Sequence, residues 1–163
     1  MKSNGFSSSF FKCVPFLLTG LCALASLGAS AQSRYTPSAD GTQVTDTTTG
    51  LVWQRCSQGQ SWSAAASTCT GTVGTYTYEA ALALAQTQTG WRLPSIKELA
   101  SIVDPGKVNP SIDTTAFPAT SSSYFWSATP VVGKPDDAWF VYFLNGDAYD
   151  GSRNDDYLVR LVR

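Results

Sequence analysis

The stretch from Asn145 to Asp156 gathers six Asn or Asp side chains, Asn145, Asp147, Asp150, Asn154, Asp155 and Asp156, with Tyr149 and Arg153 among them. Calcium takes roughly six to eight hard oxygen ligands on a flexible segment, and carboxylates and amides beside an aromatic ring also bind sugar hydroxyls. The spacing fits neither an EF-hand loop nor the Trp-Asn-Asp and Glu-Pro-Asn triplets of calcium-dependent lectins. Asn, Asp and Gly are equally what a long solvated hairpin connection prefers, so both readings stay open. The ligand-binding candidates are Asn145, Asp147, Asp150, Arg153, Asn154 and Asp155, with no metal ligand assigned and calcium an optional cofactor. Asp136 and Asp137 could supply a neighbouring edge, together with Trp139 unless strand alternation buries that indole.

Other chemistry is poorly provided for. The sequence has no His, which removes the usual general base, the usual zinc ligand and every Ser-His-Asp or Cys-His arrangement. Glu79 and Glu98 are the only glutamates, and both fall at predicted helix starts, where capping accounts for them better than a glycosidase pair does. No Asp is marked out as catalytic, and the expectation is a protein that is not an enzyme. Cys13 and Cys22 lie in an apolar leader, leaving Cys56 and Cys69 as an isolated pair. In an oxidising compartment such a pair reads as a disulfide, whereas a redox pair is more often Cys-x-x-Cys and a zinc site needs further ligands.

The leader bears on that compartment. Lys2 and Lys12 precede an apolar run through Phe16, Leu17, Leu18, Leu21, Leu24 and Leu27, ending in Ala29-Ser30-Ala31. This is the layout of a secretory signal, with cleavage expected after Ala31. Pro15, Gly20 and Ser26 interrupt the run, which falls short of the ~20 residues a membrane span requires. Leu21 before Cys22 speaks against a lipoprotein. The expected organisation is a signal peptide over 1–31, a flexible lead-in over 32–43 and one domain over 44–163, exported to the periplasm or the exterior. Without Lys2 and Lys12, nine basic residues face 12 acidic ones, a net charge of −3. That balance gives no electrostatic case for nucleic acid or an anionic membrane. The sequence has five Trp, seven Tyr and eight Phe, and all but Phe6, Phe10, Phe11 and Phe16 lie beyond the leader, where they suit either a packed core or a ligand surface.

The elements that must position these residues are partly legible. Asp46 to Gly50 is a turn signal before a strand at Leu51-Val52-Trp53, and the loop from Cys56 to Cys69 carries Trp62. Tyr78, Ala81, Leu82 and Ala85 fall at helical spacing, with Gly90 past the end. Ser95 and Glu98 form a capping box that opens a second helix with Ile96, Leu99, Ala100 and Val103 inward, stopped by Asp104-Pro105-Gly106. Tyr124 to Ser127 is a short aromatic strand, Ala138 to Leu144 a central one, and Tyr157 to Arg163 a last one. Helices early and strands late predict an α+β domain, two helices on a small, mainly antiparallel sheet with one disulfide.

Five motifs in order carry a resemblance: Gly50-Leu51-Val52-Trp53-Gln54, Trp91-Arg92-Leu93-Pro94-Ser95 with Lys97-Glu98-Leu99, Tyr124-Phe125-Trp126-Ser127, Ala138-Trp139, and Val159-Arg160-Leu161-Val162-Arg163. Together with the cysteine segment they resemble the Lcl C-terminal domain family, formerly a domain of unknown function and named after a bacterial collagen-like adhesin. The Arg-Leu-Pro-Ser helix opening is also similar to the formylglycine-generating sulfatase-modifying family. The resemblance implies a C-type-lectin-like or related fold and, for the adhesin, recognition of sulfated polysaccharides by a trimer. The chain has no Gly-X-Y repeat, its charge is negative, and it has no cysteine after Cys69 to match the modifiers' reactive pair. Within the Trp91–Pro94 motif the residues themselves read as structural: Trp91 and Leu93 entering the core, Pro94 directing the chain, Arg92 anchoring nearby loops. The expected function is an exported binding or adhesion module for glycans, or else a structural or protein-interaction domain of a cell-envelope assembly.

Overall fold

The structure, a computed structural model, describes residues 33–163; the expected signal peptide lies outside the described residues. Strands β1 (Tyr35–Pro37), β2 (Gln43–Asp46) and β3 (Val52–Gln54) form an antiparallel sheet in that order. Tyr35 to Pro37 therefore belong to the folded domain and not to a flexible lead-in over 32–43. Tyr35 pairs with Asp46 and packs its ring edge-on against Phe117 at 5.2 Å, which fixes the segment.

Strands β4 (Ser61–Ser63) and β5 (Thr68–Thr70) make a separate hairpin inside the disulfide loop. Cys56 and Cys69 are joined, their Cα atoms 5.5 Å apart, as the isolated pair implied. The largest sheet has the order β6-β10-β7-β8-β9, built from β6 (Thr75–Tyr76), β7 (Tyr124–Val131), β8 (Lys134–Tyr142), β9 (Asp147–Ser152) and β10 (Tyr157–Leu158). Its pairs are antiparallel except β10 with β7. Ala138, Phe140 and Val141 are buried on β8, which takes the interior place their run predicts. The strand runs from Lys134 to Tyr142, however, so it includes Asp136 and Asp137 and leaves Phe143 and Leu144 in the turn that follows.

Both helices form where the sequence places them. Helix α1 (Tyr78–Thr87) starts at Thr77, whose side chain accepts from the Ala80 N–H, and it buries Tyr78, Ala81 and Ala85. Helix α2 (Ile96–Ser101) opens on the full capping box of Ser95 and Glu98. Leu99 and, just past the helix, Ile102 are buried, Ile96 and Val103 pack part-buried against the same cluster, and of the expected stripe only Ala100 faces solvent. Arg92, expected to anchor loops, instead makes a bidentate pair with Glu98 at 2.7 and 2.6 Å. The chain end runs extended beyond β10: Val162 exchanges backbone hydrogen bonds with Arg92, and Arg163 with Val52. Two apolar clusters result, one around Trp53, Leu99, Phe117 and Phe125, the other around Tyr78, Trp126, Phe140 and Leu161. The domain is α+β and mainly strand.

Candidate functional site

The Asn145–Asp156 stretch is not one loop. Asn145 and Gly146 lie in the turn between β8 and β9, β9 occupies the middle, and Arg153 to Asp156 form the next connection. Six residues of strand separate the two ends by roughly 17 Å, beyond the reach of one ion or one sugar. At the first end Asn145 donates to Asp147 (2.7 Å) and to the Tyr149 hydroxyl (3.2 Å), and the Asp147 N–H donates back to Asn145. Asp150 pairs with Lys134, whose ammonium holds that carboxyl below the usual carboxylate range. Arg153 donates to the Asp137 carbonyl, lies 3.5 Å from Glu79 and stacks over Tyr78 at 4.8 Å. Asp155 accepts from the Tyr157 hydroxyl, and Asn154 is exposed on the turn. The structure thus joins Asn145 with Asp147 and separates both from Asp150, Arg153, Asn154 and Asp155. Among the described residues no group of three His, Cys, Asp or Glu is placed to hold a metal ion.

A different place in the fold is concave. A groove of about 410 Å³ lies where the end of β3, the disulfide hairpin and the end of α1 meet. That volume falls within the roughly 300–1,000 Å³ of small-ligand clefts. Gln43, Gln54, Gln58, Gln60 and Gln88 line it, with Trp62 and Trp91.

Local structure explains how these residues converge. Gln54 ends β3, with its backbone N–H on the Leu161 carbonyl at 3.1 Å. The chain then turns through Cys56, and Gln58 is held by its N–H on the Val159 carbonyl at 2.9 Å. Gln88 is the C-cap of α1, and Trp91 follows closely, its N–H on the Gln88 carbonyl. Trp62 stands on β4, with the Arg55 guanidinium over its ring at 4.0 Å. Arg55 is itself buried, donating to the carbonyls of Gly41, Thr115 and Ala116.

The three central glutamines close a ring. Gln54 Nε2 donates to Gln88 Oε1 at 2.9 Å, Gln88 Nε2 to Gln58 Oε1 at 2.8 Å, and Gln58 Nε2 back to Gln54 Oε1. The groove lining contains no Asp, Glu, Lys or Arg. Gln60, on the same lining, has its Oε1 buried without a hydrogen-bond partner in the protein.

Sequence reasoning misses this site. It places Trp91 in the core; the indole packs part-buried against the second apolar cluster and also lines the groove, bordering an apolar hollow with Leu82, Ala85 and Leu93. The glutamines carry no local motif, since 34 positions separate Gln54 from Gln88. The one available signal is Trp62, an indole in a short disulfide loop with little core of its own.

Fold and groove define a small α+β domain closed by one disulfide. The chain belongs to the Lcl C-terminal domain family, whose model matches residues 42–163. A comparison with curated proteins gave no match. Among the described residues no helix is long and apolar enough to cross a membrane.

Proposed function

We propose that the chain is an exported, non-enzymatic binding module of the adhesin type that holds glycans in the groove between Trp62 and Trp91. One observation carries the reading: two part-exposed indoles and a set of fixed amides share a concave surface free of charged side chains. Indoles offer apolar faces to the C–H surfaces of a sugar ring, and amides both donate to and accept from its hydroxyls. Membership of a family named for an adhesin supports the same class, and the apolar leader supports export. The split of the Asn145–Asp156 oxygens between two ends of β9 favours the groove over the hairpin and a calcium-independent mode.

A glycan array probed with and without calcium tests this. The wild type is expected to bind equally in both conditions, and Trp62→Ala to lose binding while keeping its fold. An Asp147→Ala and Asp155→Ala double variant should bind as the wild type does; loss there would move the site to the hairpin. A folded protein that bound no glycan under either condition would leave the envelope protein-interaction reading in its place.

A further inference from the structure

We infer that the groove selects an uncharged saccharide, read by the closed ring of Gln54, Gln58 and Gln88; this rests on the glycan reading above and narrows it. Each glutamine amide has two N–H donors and an oxygen with two lone pairs. The ring consumes one donor and one lone pair from each residue. What remains on the three amides is therefore balanced, one N–H and one lone pair each. A sugar hydroxyl donates and accepts, so it matches that floor. A sulfate or carboxylate only accepts, and it meets amide oxygens it cannot satisfy.

The electrostatics point the same way. Stripping water from an anion is costly unless a cation or a set of donors replaces it. The lining supplies no cation. Three arginines lie behind or beside the lining and none is part of it. Arg55 is buried on three backbone carbonyls under the Trp62 ring, Arg160 is buried behind Gln54 and Ser57, and Arg163 is held at the rim by the Gln43 side chain at 2.7 Å and the Trp91 ring at 4.9 Å.

The ring also explains how flexible residues make a recognition surface. A free glutamine carries much rotamer entropy, which a binding site must otherwise remove when ligand arrives. Here three of them restrain one another beforehand. The floor is presented in a single arrangement, fixed from below by the Gln54 and Gln58 backbone bonds to the C-terminal segment.

Matched polymers test the inference: dextran against dextran sulfate, and neutral N-acetylated oligosaccharides against their sulfated forms, by calorimetry and intrinsic tryptophan fluorescence. The neutral members should bind, with affinity unchanged between about 50 and 500 mM salt, where exposed charge interactions are screened. Gln58→Ala and Gln88→Ala should each weaken that binding about tenfold, as loss of one or two neutral hydrogen bonds implies. Circular dichroism separates this loss from misfolding, and the wild-type fluorescence titration requires no variant. Binding of the sulfated members equal to or tighter than the neutral ones would overturn the inference while leaving the glycan reading in place. Neutral binding undiminished in both folded glutamine variants would overturn it too. A folded wild type that bound neither kind of polymer would remove both readings.

Discussion

Arg160 is fully buried and faces no carboxylate. Its guanidinium donates to the carbonyls of Gln54 (2.8 Å) and Arg55 and to the hydroxyls of Ser57 (3.3 Å) and Thr120 (2.8 Å), and lies over the rings of Phe117 and Phe125. Burial pulls its pKa down to about 9, still above neutral pH, so the side chain stays charged and the neutral acceptors hold it. A lysine cannot span that fork. We expect Arg160→Lys to destabilise the domain by roughly 2–4 kcal/mol in chemical denaturation, mostly from carbonyls left unpaired; an unchanged midpoint would contradict this account. Glu98 gives a pH prediction. The Arg92 side-chain hydrogen bond, helped by the Ser95 N–H and hydroxyl, draws its pKa from 4.5 to about 2. A folded pKa below the unfolded one contributes stability that is complete above pH 4.5 and lost as pH falls through about 2. With Arg92 half exposed the amount is on the order of 1–2 kcal/mol. Stability of Glu98→Gln, followed from pH 5 to pH 2, should fall less than that of the wild type by about that difference.

At the scale of elements, the tight approach of backbone to backbone beside the groove sets a second expectation. Gly59 has φ +89°, and a Cβ there would stand 2.5 Å from both the Gly74 nitrogen and the Thr72 carbonyl oxygen. Gly90 has a comparable φ of +78° with nothing within 4 Å. Both Gly→Ala changes carry the left-handed penalty of about 1–2 kcal/mol, but only Gly59→Ala must also displace backbone. Thermal denaturation should therefore rank Gly59→Ala well below Gly90→Ala, and equal losses would rule out the steric account. The same elements show what the sequence can say. α2 is legible because its capping box is local, and β8 because a continuous apolar run suits a strand covered on both faces. β1 is not, since Tyr35-Thr36-Pro37 is too short to show alternation and buries one ring. β9 is hidden by Asp147, Asp150 and Gly151, poor strand formers that adopt the conformation through six paired positions on β8. The glutamine ring is hidden for a further reason. It joins three segments by side-chain amides whose residue type favours no particular contact.

On the scale of the whole molecule, stability is divided unevenly, and the groove takes one wall from the less supported part. β4 and β5 form a two-stranded sheet with no ladder to either larger sheet. A lone two-stranded hairpin is marginal in water, so its attachments matter. They include the Cys56–Cys69 bond, the Arg55 stack on Trp62, the close packing of the Trp62 indole on Gly41 and, at the flanks, the Gly74 N–H bond to the Gln58 carbonyl. Neither main apolar cluster includes a residue of β4 or β5. Closing a loop with a sequence separation of 13 contributes about 3 kcal/mol in the chain-entropy model. A Cys56→Ser and Cys69→Ser double variant should accordingly lose about that much stability and still fold around both clusters. Its hydrogen exchange should speed up over residues 61–70 and stay slow along β7 and β8, since local opening need not involve the sheet. Saccharide binding should fall further than the stability of the remaining fold suggests, because Trp62 would then leave its place beside the glutamines. Exchange accelerated equally in the hairpin and in β7 and β8 would mean that the disulfide holds the whole domain and not one wall of the groove.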